Sequence, residues 1–304
     1  MKRCVYSLST SWNSHGHEDG ISLVEEIKSL GFDTVELGFA LTRRVVDDIA
    51  SLKEMGEIEI SGLHNMCPIP DGMSPDEATP DYYSLASTEE AERKRAIEAA
   101  RSTIRRARDL AAPAVILHAG RVEMKDRTRD LAAATAYEER FREIKVAMVR
   151  EREEKAPPHL ESVIKSLSVL VPEAASSGVK LALETRYYHR EIPSLEEFSL
   201  LFNAFVEGTL YYWHDTGHAE VHERLGFCRH ADFLEKFRAR LLGVHLHDII
   251  GEVRDHLPPG SGTFDFGVLG KYIGDDTIKV IEAHRPSSGE DIVKSVEYLS
   301  RVLG

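Results

Sequence analysis

Eight short apolar runs recur along the 304 residues of the chain, each separated from the next by a longer stretch, much of it helical in pattern. No other feature constrains the fold as much. The runs are residues 4–8, 34–37, 58–63, 114–117, 179–183, 210–213, 242–246 and 278–281. Each is rich in β-branched, aromatic or aliphatic residues and is bounded by turn formers or helix ends, the pattern of a strand buried on both faces of a parallel sheet. Between them the apolar period lengthens. Ile21, Val24, Ile27 and Leu30 share one helical face and stop at Gly31, a good residue to end a helix. The same reasoning predicts helices over 89–110, 159–175, 195–205 and 233–241. Eight strands alternating with helices predict a parallel sheet with right-handed crossovers, and eight is the number that closes a (β/α)8 TIM barrel in a single domain. The rival doubly wound sheet usually carries a glycine-rich phosphate turn after its first strand, and the chain has neither GxGxxG nor GxxxxGK[ST]. Residues 121–158 are highly charged and poor in apolar residues. We read them as an insertion, a loop plus an added solvated helix over one end of the barrel.

Composition narrows the function. There are 51 acids against 38 bases, a formal net charge of −13. Such a chain repels nucleic-acid phosphate unless a local basic stripe compensates. The loops at 9–20 and 67–80 carry no Lys or Arg. Three widely spaced cysteines without a CxxC argue against a disulfide framework or a thiolate zinc site. No apolar run is long enough to span a membrane and the N-terminus lacks a signal-peptide core, so a cytoplasmic protein is expected. Oligomeric state is left open, a homo-oligomer included.

Barrel enzymes keep their chemistry at the C-terminal ends of the strands. Seven of the eight expected strands present His, Asp or Glu near that rim: Glu36, His64, His118, Glu184, Asp215, His245 and Glu282. Converging carboxylates and imidazoles demand a cation, and this mixed set suits Zn, Mn or Fe better than Mg or Ca. Eight of the 14 histidines fall between His214 and His284. In His-Asp-Thr-Gly-His, Asp215 and His218 can both face the mouth. In Val-His-Leu-His-Asp, His245 and His247 share one face, and which of them is the ligand stays open. Trp12 is a candidate for the pocket lining. Trp213 and Cys67 read as packing, and His15, His17, His159 and His230 as loop or surface histidines.

Asp-Thr-Gly-His at 215–218, His-Leu-His-Asp at 245–248, Leu-Glu-Thr at 183–185 and Ile-Glu-Ala at 281–283 together resemble the xylose-isomerase-like barrel superfamily, which includes sugar isomerases, epimerases and endonuclease IV. The resemblance implies a metal site of Glu184, Asp215, His245 and Glu282. From the endonuclease IV branch it adds His64 and His118 around a second metal bridged by Glu184, and His218 and His256 around a third. The remaining ligand of that third site is an Asp two residues before the last His. Here that position is Arg254, and the neighbouring Asp255 is out of phase for a regular strand. One to three divalent ions are implied.

The activity expected first is a metal-dependent sugar or sugar-phosphate isomerase or epimerase. Glu184 and Glu282 would move a proton through a metal-stabilised enediolate, and Arg186, His218 and Arg254 would contact the substrate. Arg186 has a plainer alternative as a rim salt bridge. An endonuclease IV-like multi-zinc phosphodiesterase is the second reading, and a non-catalytic metal-binding barrel the third.

Overall fold

The computed structural model describes residues 6–303. Within it the barrel strands are β1 (Ser7–Ser9), β2 (Thr34–Leu37), β3 (Glu59–His64), β4 (Ala114–Leu117), β5 (Lys180–Glu184), β6 (Tyr211–Asp215) and β7 (Leu241–Leu246). A two-stranded hairpin, β8 (Asp248–Ile250) and β9 (Arg254–Leu257), precedes the last barrel strand, β10 (Ile278–Ile281). The eight barrel strands are all parallel and close in the order β1-β10-β7-β6-β5-β4-β3-β2. The expected first run reaches back to residues 4 and 5, which lie outside the described residues.

Around the barrel run α1 (Gly20–Ser29), α2 (Arg43–Glu54), α3 (Glu90–Asp109), α4 (Thr128–Ala132), α5 (Glu138–Ser176), α6 (Leu195–Ala204), α7 (Thr216–Arg224), α8 (His230–Phe237) and α9 (Gly289–Leu303). Four of these, α2, α4, α7 and α9, go beyond the expected helices. The main core lies between strands and helices. It is built from outward-facing strand residues such as Val35, Leu117, Leu183 and Val244, against helix residues such as Ile27, Ile104, Leu167 and Phe233. No helix among the described residues is long and apolar enough to cross a membrane.

Inside the barrel a smaller cluster forms a floor: Ala114, Ile116, Ala182, Trp213, Leu242 and Val280. Strand side chains alternate, so the residue two positions after an inward one also points inward. Ala182 therefore brings Glu184 to the mouth, Trp213 brings Asp215, Val280 brings Glu282, and Ile116 brings His118. Gly243 does the same for His245, and it must be glycine, because a Cβ there would lie 2.3 Å from the Trp213 ring.

The inserted segment departs from expectation. Its helix does not stop before 159; it runs unbroken for 39 residues through Pro157 and Pro158. An interior proline removes a helical hydrogen bond and costs about 3 kcal/mol. Tertiary bonds on either side hold the helix in place. The buried Arg152 gives two bonds to the Glu197 carboxylate (2.8 and 2.7 Å) and others to the carbonyls of His189 (2.6 Å) and Glu191 (2.9 Å). Seven residues on, His159 donates to the Ala86 carbonyl (2.8 Å) and accepts from the Glu123 N–H (3.3 Å). His159 is thus buried, not a surface histidine. His230 is buried too, between His214 (2.9 Å) and Glu220 (3.3 Å).

Candidate metal centre

Glu184, Asp215, His245 and Glu282 meet at the centre of the barrel mouth, all at most 3 % exposed. One ligand atom from each lies within 4.8 Å of all the others. His245 Nε2 is held by Glu36 (2.9 Å), which turns Nδ1 toward Glu184 (3.0 Å), Glu282 (3.2 Å) and Asp215 (3.7 Å). Sequence reasoning placed Glu36 at the rim but gave it no part. Its part is to orient this imidazole, as outer carboxylates orient metal-binding histidines.

The electrostatics of this group call for a cation. No Lys or Arg among the described residues forms an ion pair with any of its carboxylates. Burial, with Glu184 and Glu36 nearby, pushes the Glu282 carboxyl up to about 8 against the pull of His245 and His256. Burial disfavours charge on His245 as well, yet Glu282, Glu36 and Glu184 raise its pKa well above the ordinary imidazole value. The charge of these carboxylates is met only by neighbouring imidazoles, His245 among them and His118 and His247 at its edge. A divalent cation meets the same demand with a better match of charge, so the residues present fit a metal.

Glu184 divides its two oxygens. Oε1 faces His245, while Oε2 takes His64 Nε2 (3.1 Å) and His118 Nε2 (2.9 Å). His64, His118 and Glu184 thus form a second group able to hold an ion. Burial would raise the Glu184 carboxyl, but His245 and His118 outweigh it and hold it well below the usual range. His118 Nδ1 is backed by Asp81 (3.3 Å), which in turn pairs with Arg186 (2.7 Å).

The third group is His218, His247, Asp255 and His256. His245 and His247 both point inward, but to different groups. His247 Nε2 reaches both oxygens of Asp215 (2.8 and 2.9 Å) and its Nδ1 accepts the His256 N–H (2.9 Å). Its ring lies so close to the Asp-Thr-Gly-His turn that a Cβ on Gly217 would be 2.2 Å away. The reading of Asp255 as out of phase does not hold. His256 adopts φ 53°, which breaks the alternation of β9 and lets Asp255 and His256 serve one group. Asp255 Oδ2 lies 3.1 Å from His256 Nδ1 and 3.7 Å from His218 Nε2. Regular strand alternation gave no signal for this; only the left-handed residue produces it.

Beside these groups opens a cavity of about 530 Å³. Arg186 and Arg254 line it, and so do Asp81, Arg129, Tyr187 and Glu191, which sequence reasoning did not single out. Arg186 also forms the salt bridge that was its plainer alternative, to Asp81 (2.7 Å) and Glu191 (2.6 Å). Trp12 is not in the lining. It packs in the core, and its Nε1 donates to the Ser287 carbonyl (2.9 Å), which fixes the loop after β10. Cys67 is a fully buried free thiol.

A model of the xylose isomerase-like TIM barrel family matches residues 24–302. The chain belongs to that family. Among curated proteins, none matches it in sequence. Several solved structures share its fold over nearly the whole length. A D-tagatose 3-epimerase-like protein is 24 % identical, with TM-score 0.71, over 98 % of this chain and 96 % of its own. The 3-keto-D-glucoside 4-epimerase of E. coli is 17 % identical, with TM-score 0.70, over 99 % and 100 %. The IolI protein with a bound zinc is 14 % identical, with TM-score 0.67, over 98 % and 97 %. At these identities the likeness is one of fold, and the chemistry rests on the site.

Proposed function

We propose that this protein is a divalent-metal-dependent sugar isomerase or epimerase, acting by proton transfer at a carbon next to a carbonyl. The observation that carries the reading is the buried convergence of Glu184, Asp215, His245 and Glu282 at an open cavity, and the epimerases among its fold relatives agree with it. Those four side chains would hold a Zn, Mn or Fe ion. When bound, the ion supplies Lewis-acid polarisation of a carbonyl and its neighbouring hydroxyl.

The rest falls to the chain itself. Glu184 and Glu282 come from strands separated by β6 and β7, so a sugar lying between them meets a carboxylate on each side. One removes the proton and the other returns one to the opposite face. Glu36 keeps His245 turned toward the cluster. His218 and Arg186 are placed to orient hydroxyl oxygens. Trp213, under the site, excludes water from below.

The test is solvent-proton exchange, followed by NMR in D2O with Mn2+-loaded enzyme and a panel of ketoses. The wild type should exchange the proton beside the carbonyl, and Glu282→Gln should slow exchange by about 10²–10⁴. Unchanged exchange in the variant would sink the assignment.

A second reading, hydrolysis of a small phosphodiester, is favoured by the groups around His64 and His118 and around His218 and His256. Metal analysis separates the two. Near one ion per chain supports proton transfer, whereas two or three ions with cleavage of bis-p-nitrophenyl phosphate would reverse the order.

A further inference from the structure

The cavity wall carries positive charge that the rest of the protein does not use. The chain has 13 more acids than bases, and some of its exposed arginines are paired with carboxylates. Arg43 meets Asp71, Arg105 meets Glu98, and Arg229 meets Asp232. Arg129 and Arg254 are among the exposed arginines that are not paired, and of these, among the described residues, they alone face the cavity beside the metal groups. Both line the cavity, both are exposed, and neither guanidinium makes a hydrogen bond or ion pair among the described residues. They reach it from unrelated elements, Arg129 from α4 in the insertion and Arg254 from β9.

Beneath them Arg186 is 3 % exposed. Its charge is offset by Asp81 and Glu191, both bound through Nη2, but its Nε and Nη1 are buried without a partner. A buried N–H lacking an acceptor is destabilising and is relieved by any acceptor that reaches it. The remaining acid of the wall, Asp255, is engaged with His256 and His218. Two uncompensated guanidiniums therefore stand over one with unfilled donors. Guanidinium is the side chain whose forked N–H groups match carboxylate and phosphate oxygens.

We propose that the substrate is an anionic sugar, one bearing a carboxylate or phosphate at the end remote from the reacting carbonyl, which Arg129 and Arg254 bind. The proposal rests on the isomerase or epimerase reading for the sugar half of the molecule. The anion half stands on the wall alone. It also gives the insertion a role, that of bringing Arg129 to the substrate.

The experiment uses the Mn2+-loaded full chain and three probes differing only at C6: D-fructose, D-fructuronate and D-fructose 6-phosphate. Binding is measured by calorimetry, for the wild type, Arg129→Ala, Arg254→Ala and the double variant. Both arginines are exposed, so folding is not at stake. At least one anionic probe should bind about tenfold or more tightly than D-fructose, and each single variant should reduce that preference about three- to tenfold. Which anionic probe binds tighter tells the carboxylate from the phosphate. Equal binding of all three sugars, or a preference that survives in the double variant, overturns the proposal, because an anion held by the metal alone would survive it. Proton exchange is followed in parallel. Arginine-dependent anion binding without exchange of any probe would leave the anion site standing and remove the epimerase reading.

Discussion

The central group and the outer hairpin group use the same side-chain types and are built in opposite ways. Glu184, Asp215, His245 and Glu282 each sit two positions beyond an inward-facing strand position, at the end of a barrel strand, and are nearly inaccessible. His218 lies in the first turn of α7, His247 in the link after β7, and Asp255 and His256 on a short hairpin, with the last two 17 and 19 % exposed at the side chain. Strand periodicity, with Gly243 making room for Trp213, makes the first group. The second needs an irregular backbone, a histidine at φ 53° and a glycine that yields to a ring. A barrel fixes what its strands carry and leaves what its loops carry free to change, so the central group should tolerate far less than the outer one.

Four variants put that difference at risk. Glu184→Ala removes the carboxylate shared by the central group and the group of His64 and His118. Bound metal, measured by mass spectrometry, should fall to near zero, and proton exchange should drop by about 10²–10⁴; retention of a full ion would show that Glu184 is dispensable. Arg152→Ala leaves Glu197 buried without its partner and should cost about 3–5 kcal/mol in urea unfolding; a change below 1 kcal/mol would mean the inserted half of α5 contributes nothing to the barrel. Glu36→Gln should weaken metal affinity by about 10- to 100-fold while leaving the fold intact. Asp255→Ala should have the smallest effect, removing at most one ion per chain and leaving the tightest ion bound. If it emptied the protein of metal, the two groups would not be independent.

The barrel and most of the central group could be read from the sequence, because parallel strands buried on both faces write themselves as apolar runs and end at the mouth. Glu184 and Glu282 follow their runs directly, and Asp215 comes one residue later. What could not be read lay where distant segments decide. Asp81 and Glu191 are brought together by Arg186, which reaches both, across 105 and 5 residues of chain. Arg129 sits in a segment whose composition says only that it is charged. The expected boundary at 158 is crossed because Arg152 and His159, pinned to other parts of the barrel, hold the helix on both sides of Pro157 and Pro158.

The unbroken course of α5 bears on how substrate reaches the site. An insertion joined by slack linkers can swing as a lid, but this one is continuous with a helix of the barrel itself. At about 1.5 Å per residue it is a rod of about 58 Å, clamped near its middle by Arg152 and His159. Its inner half cannot move without the barrel. Among the described residues, the insertion meets the cavity only through Arg129 on α4, which packs against this fixed rod, so that guanidinium is carried by a segment anchored to the barrel and not by a free flap.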